Sequence, residues 1–560
     1  MASEKKILGL DNLAFDIGDQ VNDQAREKEG KTSGCVAEEN RNKPTYCVTD
    51  VPSWHLCGFL AIQHYLTAFG GILSIPLILS EGLCLQHDSL TQSRLINTIF
   101  FVSGLCTLLQ VTFGVRLPIL QGGTFALLTP AMVMLSMPEW ECPAWTQNAS
   151  LVNTSSPAFI EVWQSRMRTL QGSVMVASLL QILVGFSGLI GFLMRFIGPL
   201  TIAPTVSLIG LSLYDSAGAK LGSHWGISAM STALIILFSQ YLRHVPIPVP
   251  AFNKDRKLHT SKFFIFQSMP ILLGVLVSWL VCYLLTIYDV LPSDPAQYGH
   301  LARTDVKGNV VNDAYWFTIP YPGQWGVPTV SLAGVMGITA GIICSMAESV
   351  GDYHSCAKLS GAPPPPKHAI NRGIGVEGLG CLLAGAFGTG NGTTSFSENV
   401  AALGITKSTD MSSSRNIFVF GFSIFTALVV PNWIMKNPDF FNTGVKELDQ
   451  VINILLSTHM FVGGFLGFFL DNTIPGTKRE RGLLALEELH LQDSGNTLET
   501  EEVYNLPFGI TSCLSSHSWV RYVPFCPWKG QRTQYKSEDN QTSQSEPLPN
   551  GTGVTEEFAF

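Results

Sequence analysis

The sequence predicts an all-α polytopic membrane protein, and three observations support this class. Only 14% of the 560 residues are charged and 46% are hydrophobic, whereas an average soluble domain carries about 25% charged residues. The charges concentrate in the first 50 residues and after Pro475. Between these tails lie many apolar stretches of about 20 residues, each long enough to cross a bilayer core of roughly 30 Å. The net charge of −8 belongs mainly to the tails, and nothing in the chain is basic enough to indicate nucleic-acid binding.

Length and hydrophobicity predict about twelve membrane spans, of which the tenth is too short to cross a bilayer as a helix. In chain order the spans are 54–80, 91–113, 117–137, 171–194, 199–217, 224–242, 263–287, 329–347, 370–388, 398–406, 414–432 and 452–470.

Basic residues predict the orientation of these spans, because cytoplasmic loops carry an excess of lysine and arginine. Such residues cluster between spans six and seven, between spans eight and nine, and after the last span. These loops share the cytoplasmic side if both termini are inside. Asn148 and Asn153 then lie outside, in sequons open to glycosylation. Cys84 and Cys142 also fall in outside loops, where a disulfide could persist.

The predicted organisation has five parts. The polar start lacks the short apolar core of a cleavable signal peptide, and both tails have the composition of disordered segments. The parts are a disordered cytoplasmic N-terminal tail (1–50), a first transmembrane repeat of spans one to seven (51–290), an extracellular loop (291–328), a truncated second transmembrane repeat (329–475) and a cytoplasmic C-terminal tail (476–560).

Carboxylates inside spans indicate the functional site, because charged groups at that depth are rare and costly. Glu348 ends span eight, and Asp352 follows one helical turn later on the same face. Glu398 opens the short tenth segment. That segment can serve as half a crossing, with an extended stretch followed by a helix whose N-terminus points at the site.

A similar interrupted segment lies in the first half of the chain. LPILQGGTFALLTPAM, which begins at Leu117, contains Gly122 and Gly123, and these two residues allow close backbone approach. Two Gly- or Pro-interrupted segments, one in each half, indicate an inverted-repeat transporter with its site between the repeats.

Less specific explanations exist for several of these residues. Glu348 could sit at a helix end near water, and Asp352 could be a solvated or structural group. The glycines could be helix-packing positions. His64 could be an interior histidine with satisfied hydrogen bonds. Glu398, beside Asn399 in a short broken segment, is the hardest to explain in this way.

Two carboxylates at one site suit a flat ring that presents N–H donors, such as a nucleobase. An ionised carboxylate only accepts hydrogen bonds, so one aligned with ring N–H groups fixes both the position and the identity of the ring. An aromatic side chain such as Phe125 or Phe396 could cover the ring face. An anionic substrate would be repelled unless cations such as sodium compensated the charge.

Several stretches resemble blocks of the nucleobase–ascorbate transporter family (solute carrier family 23). ENVAALGITK, from Glu398, resembles the family signature, in which an acidic residue, Gln or Pro precedes Asn and a Thr followed by a basic or small residue closes the motif. The resemblance covers roughly residues 50–485 and is nearest to the mammalian branch, which contains sodium-dependent vitamin C transporters and a sodium-dependent nucleobase transporter. The other matching blocks are QHYLTAFGG, QGGTFALLTPA, SHWGISAMS, AESVGD, GAPPPPKHAINRG and LDNTIPGTKRERGL.

The resemblance implies a fold and a site. The fold is an inverted repeat of seven plus seven spans, divided into core and gate domains. The ascorbate members carry Pro before the signature Asn, so Glu at that position favours nucleobases. The implied substrate-binding residues are Glu348, Glu398, Phe125, Phe396, Ser397 and Asn399, with Asp352, His64 and Thr406 as candidates for ion coupling or gating. The resemblance implies a plasma-membrane sodium symporter of uracil, thymine, guanine or hypoxanthine that forms a homodimer and has no cofactor besides the coupling sodium ion.

The second repeat is incomplete by comparison with the first. Only the nine residues KSTDMSSSR separate Thr406 from Asn416. The counterparts of spans four and five are therefore missing, and family members continue with a longer segment here. This predicts a splice-shortened form in which transport is weak or absent.

Three alternatives remain open. The first is a sodium–ascorbate transporter, against which Glu398 argues. The second is a non-transporting isoform that pairs with full-length protomers. The third is a membrane-embedded enzyme, which is disfavoured because neither an HExxH nor a GxSxG motif accompanies the carboxylates.

Overall fold

The computed structural model describes a defined part of the chain. The described residues are 48, 54–147, 152–190, 199–212, 214–242, 245–253, 257–263, 265–268, 270–294, 297–306, 317–396, 414–437, 440–476, 503–507, 510–511 and 523–526. Asn148, Ser397, Glu398, Asn399 and Thr406 lie outside the described residues, as does the predicted N-terminal tail except for Val48.

Helices dominate the first half of the described chain, with one short strand between α2 and α3 and a hairpin before α8. The elements are α1 (Trp54–Gly82), α2 (Ser89–Phe113), β1 (Gln121–Gly123), α3 (Phe125–Leu135), α4 (Pro157–Ser187), α5 (Pro199–Leu211), α6 (Tyr214–Leu221), α7 (Trp225–Ile236), β2 (Ile247–Asn253), β3 (Lys257–Phe263), α8 (Ile265–Ser268) and α9 (Pro270–Ile287).

The second half repeats the pattern of long helices around one short strand. Its elements are α10 (Leu332–Leu359), α11 (Lys367–Phe387), β4 (Thr393–Ser395), α12 (Ser414–Lys436), α13 (Lys446–Ser457) and α14 (His459–Thr473). β2 pairs with β3 as an antiparallel hairpin, and β1 pairs with β4 although the two strands are far apart in the sequence.

Four helices among the described residues are long and apolar enough to cross a membrane: α2, α4, α10 and α12. The pair α13–α14 adds a fifth if it is counted as one bent span, since its two helices meet at an angle of 76°. The chain is thus a mostly helical polytopic membrane protein.

Several predicted spans differ from the helices observed. The fifth, expected at 199–217, is divided between α5 and α6. The seventh, expected at 263–287, begins at the end of β3 and contains the separate helices α8 and α9. The fourth was expected at 171–194, but α4 begins at Pro157, capped by Ser156, and its first turns carry polar residues that lengthen the helix beyond its apolar part. The twelfth was expected as one helix over 452–470. The break between Ser457 and His459 divides it instead into α13 and α14.

The helices pack into groups that position the two short strands. α1 to α4, α10 and α11 surround β1 and β4 and share the largest hydrophobic cluster, and we call this set the main bundle. α4 and α11 approach so closely that a Cβ at Gly185 would lie 2.3 Å from the backbone nitrogen of Gly375. Small residues give membrane helices this kind of contact. A second group, α5, α12, α13 and α14, packs against the α3–α10 side through a smaller cluster.

Parts of the C-terminal tail pack against the main bundle, which corrects the expectation of disorder for those parts. Val503 and Tyr504 belong to the largest hydrophobic cluster. Cys526 is also buried. The average composition of the tail predicted disorder because a few buried residues, such as Tyr504 and Cys526, contribute little to the average.

Candidate functional site

The site is built where β1 and β4 pair at the centre of the main bundle. Gln121 lies opposite Ser395, Gly122 opposite Thr394, and every residue of both strands is buried. The Phe396 N–H extends the ladder by donating to the carbonyl of Leu120 at 2.9 Å. Backbone groups at this depth need internal partners. The two interrupted segments satisfy that need by pairing with each other.

α3 begins directly after β1, so its N-terminus faces the strand crossing. Thr124 caps the helix, with its hydroxyl accepting from the backbone N–H of Ala126 at 3.0 Å. Asn391, just before β4, donates its side-chain amide to the Thr124 carbonyl at 2.9 Å and locks the two segments together. A helix N-terminus carries partial positive charge and unpaired N–H groups. It therefore suits a carbonyl-bearing or anionic ligand.

Gly122 is required by the packing of Phe396. A Cβ at Gly122 would lie 2.7 Å from two ring atoms of Phe396. The ring is 5% exposed and rests on the glycine. Phe125, the first residue of α3, is half-buried and contacts both hydrophobic clusters. The glycine therefore serves a close contact between the two half-crossings, and it lies in a strand, not at the helix-packing position considered above.

α10 brings the first two carboxylates to the site. Glu348 is 7% exposed, and Asp352, one turn later, is completely buried. Asp352 is therefore not solvated. Both of its carboxylate oxygens lack a hydrogen-bond partner within the described chain. Ser349 and Ser345 lie about one and two turns before Asp352 on α10, and the Ser345 hydroxyl donates to Thr394 of β4 at 2.8 Å.

Glu377 of α11 is a third buried carboxylate, and it is the most heavily hydrogen-bonded. It is 2% exposed. Five side chains donate to it from α4, α10 and β4: Gln181 at 3.3 Å, Ser349 at 2.8 Å, Tyr353 at 2.9 Å, Thr394 at 2.9 Å and Ser395 at 3.3 Å. This many donors suits an ionised carboxylate, which only accepts. Glu377 thereby joins three elements at the strand crossing.

Sequence reasoning missed Glu377, although the signal was present. It lies within the predicted ninth span, in GVEGLG, and is as costly there as the other two carboxylates.

Three acidic side chains, Glu348 and Asp352 of α10 and Glu377 of α11, are buried in the main bundle. No lysine or arginine of the described chain forms an ion pair with Asp352 or Glu377. Nor do the described His, Cys, Asp and Glu side chains converge as a group of three or more around a metal position. Acidic side chains without a basic partner among the described residues suit a ligand that donates N–H groups.

Other residues singled out from the sequence lie elsewhere. His64 of α1 is exposed in the described structure, whereas an interior histidine would be buried. Asn153 is exposed in the loop before α4. Cys84 and Cys142 are joined by a disulfide, which ties the end of α1 to the loop after α3.

Comparisons with known proteins were made on the whole chain. The model of the Permease family (Xan_ur_permease) matches residues 57–410. Human solute carrier family 23 member 2 is 42% identical, with 92% of this chain and 87% of the relative aligned. Rat solute carrier family 23 member 1 is also 42% identical, over 90% and 92% of the two chains. Nucleobase-ascorbate transporter 1 of Arabidopsis thaliana is 30% identical, over 83% and 96%.

These relatives are transporters, and the family model spans residues 57–410, a range that includes β1, β4, Glu348, Asp352 and Glu377. A buried binding site between interrupted membrane segments is what a transporter of this type requires. The chain therefore belongs to the permease family of nucleobase–ascorbate transporters and is not an enzyme.

Proposed function

We propose that the protein belongs functionally to the sodium-dependent secondary transporters of nucleobases. The observation that carries this proposal is a set of buried carboxylates beside the paired strands, in which neither Asp352 nor Glu377 has a basic partner among the described residues. A nucleobase supplies N–H donors to such oxygens, the α3 N-terminus suits its carbonyls, and Phe396 offers an aromatic face.

The choice between nucleobase and ascorbate rests on Glu398. That residue belongs to the signature segment outside the described residues, so its support comes from the sequence alone. Ascorbate is an anion at neutral pH, and a further carboxylate would repel it. The solute carrier family 23 relatives at 42% identity keep a sodium–ascorbate transporter as the second candidate.

Sodium coupling is supported by charge balance. Two like unit charges about 4 Å apart repel each other by about 4 kcal/mol at an effective dielectric constant of about 20. A bound cation would offset the mutual repulsion of the carboxylates. We propose that oxygen atoms of Asp352, Ser349 and Thr394 bind the sodium ion. No cofactor besides sodium is proposed.

The proposed topology places both termini in the cytoplasm of a plasma-membrane protein. In this topology the face of the main bundle at the α10–α11 connector is cytoplasmic, and the Cys84–Cys142 disulfide and Asn153 are outside. The main bundle corresponds to a core domain, and the α5 and α12–α14 group to part of a gate. A homodimer remains part of the proposal.

The incomplete second repeat is supported by where the family match stops. It ends at residue 410, inside KSTDMSSSR. The alignment with human solute carrier family 23 member 2 is 577 positions long and covers 92% of this 560-residue chain. The alignment with the mouse protein is 567 positions long and covers 90%. Both alignments are longer than the part of this chain that they cover, so the relatives contain residues that this chain lacks. We propose that the shortened chain transports weakly or not at all.

Uptake of labelled uracil and guanine tests the proposal, in cells that express this chain with and without external sodium. Surface biotinylation, run in parallel, measures how much protein reaches the surface. A version with the family-length segment restored after Thr406 is expected to show sodium-dependent uptake that Glu398→Ala abolishes. Competition by uracil but not by ascorbate supports the nucleobase assignment, and the reverse pattern overturns it. Uptake by the 560-residue chain at the restored chain's rate would refute the proposed impairment.

A regulatory, non-transporting isoform is a second candidate, favoured by the same interruption. A chain that retains α1 to α4 but lacks two later helices could pair with full-length protomers through intact surfaces. Co-purification of differently tagged short and full-length chains tests this candidate. Recovery of each chain only with itself would exclude it.

A further inference from the structure

Two pieces of the C-terminal tail lie on the face of the main bundle where α10 ends and α11 begins. We call residues 503–507 and 523–526 the tail strap. The Tyr504 ring is 1% exposed, and its hydroxyl donates to the carbonyl of Pro363 at 2.6 Å. Pro363 belongs to the GAPPPPK connector between α10 and α11. A tyrosine from the tail is thus seated against the link between two site-bearing helices.

The start of α11 recognises the backbone of the tail strap. Buried Arg372 donates from Nη2 to the Tyr504 carbonyl at 2.8 Å and from Nε to the Gly114 carbonyl at 2.8 Å. Asn371 donates its side-chain amide to the Pro524 carbonyl at 3.0 Å. Adjacent residues of one helix therefore hold both pieces of the tail, and Arg372 joins them to the end of α2.

The second piece packs against the end of α4. Phe525 meets Phe186 edge to face with ring centroids 4.9 Å apart. Gly188 follows α4 with φ of +77°, and a Cβ there would lie 2.5 Å from the Pro524 side chain. Cys526 is 8% exposed, and burial raises the pKa of its thiol. Aromatic anchors combined with side-chain bonds to backbone carbonyls are features of peptide recognition.

We propose that this face of the protein is a peptide-recognition site, that the tail strap is its built-in ligand, and that occupancy of the site fixes the connector between α10 and α11. α10 carries Glu348 and Asp352, and α11 carries Glu377. Holding the connector therefore holds the relative position of the carboxylates. This role does not depend on which cargo the transporter carries.

Thiol labelling tests whether the strap is docked. The purified full chain is treated with a maleimide, and the labelling rate of Cys526 is read by peptide mass spectrometry against the same thiol after denaturation. We expect Cys526 of the parent to react at least about tenfold more slowly than the denatured thiol. The double variant Tyr504→Ala with Phe525→Ala is expected to approach the denatured rate. Tyr535→Ala, elsewhere in the tail, is the control and should leave the rate unchanged.

Hydrogen exchange tests whether occupancy reaches the connector. In the parent, the Ser360 and Ala362 N–H groups donate to carbonyls at the end of α10. Their exchange should quicken about fivefold or more in the double variant and stay unchanged in the control. Fast labelling of Cys526 in the parent, or an unchanged rate in the double variant, overturns the docked strap. Release of Cys526 with unchanged connector exchange overturns its effect on the helix pair. Neither readout needs cargo or sodium, so both remain decisive if the proposed transport fails.

Discussion

At the scale of single residues, Glu377 accepts hydrogen bonds from α4, α10 and β4 and so connects these elements at the site. Replacing it with Gln keeps the shape but removes the negative charge. Ser349, Thr394 and Ser395 donate to it through hydroxyls that can rotate, so the fold should survive with a loss of about 1–2 kcal/mol, the net range of a few weakened hydrogen bonds. Sodium binding should weaken by about tenfold or more, which corresponds to 1.4 kcal/mol.

The measurement is the rise in melting temperature of the purified chain when sodium replaces potassium at constant ionic strength, since a bound ion stabilises the folded state. The parent should show a rise that Glu377→Gln largely loses. Glu141→Gln, in an exposed loop, is the control. If Glu377→Gln shows the same sodium-dependent rise in melting temperature as the parent, this residue does not contribute to sodium binding.

Gly122 offers a second test at this scale. Gly122→Ala places a methyl group within 2.7 Å of the Phe396 ring, so the paired strands must shift. Overpacking of this kind typically costs about 1–3 kcal/mol. Gly104→Ala is the matched control, because nothing lies within 4 Å of a Cβ at that exposed position of α2. Alanine there should stabilise the helix by up to about 1 kcal/mol. Equal melting temperatures for the two variants would contradict the close contact.

At the scale of elements, α12 and α14 are held together by a buried ion pair. Arg415 donates from Nη2 to Asp471 Oδ1 at 2.9 Å and to the Ile474 carbonyl at 3.0 Å. The Asp471 side chain is completely buried and that of Arg415 is 9% exposed. Removing one partner from such a pair leaves the other charge uncompensated.

Asp471→Ala should therefore destabilise the chain by about 3–5 kcal/mol. Replacing both partners, as Arg415→Met with Asp471→Leu, should recover part of that loss because no buried charge remains. Thermal unfolding of the single and double variants measures both effects. If the double variant is less stable than Asp471→Ala, the hydrogen bonds from Arg415 to backbone carbonyls contribute more to stability than is gained by removing the unpaired buried charge.

The elements also show which features a sequence can predict. Hydrophobic length located α2, α10, α11 and α12, because the bilayer sets a minimum apolar length that one segment meets by itself. The glycines and the break before α3 indicated a half-crossing. The pairing of β1 with β4 was not predicted, since strand partners so distant in sequence leave no periodic signal. The bend between α13 and α14 was missed for a related reason, because apolar composition continues across it.

At the scale of the whole molecule, a surface ion pair adds to the apolar packing between the two helix groups. Glu139, in the turn after α3, forms an ion pair with Lys446 at the start of α13. It also accepts from the Gln450 side chain at 2.8 Å. The hydrogen bond from Lys446, assisted by that from Gln450, lowers the pKa of Glu139 from its ordinary value of 4.5. The link joins the main bundle to the second helix group outside the proposed membrane.

This link should make stability depend on pH in a defined direction. A carboxyl whose folded pKa is lowered contributes stability above its unfolded pKa and loses it as the pH falls through the folded value. Glu139→Gln should therefore melt below the parent at pH 6, and the difference should shrink as the pH falls below the ordinary pKa of 4.5 and through the lowered folded pKa. Both side chains are substantially exposed, so the difference should be small and should shrink further in high salt, which screens surface charges. Melting curves of the two proteins across this pH range, at low and high salt, measure the effect. A difference that persists unchanged at acid pH would mean that packing of the Glu139 side chain, and not its charge, connects the two helix groups.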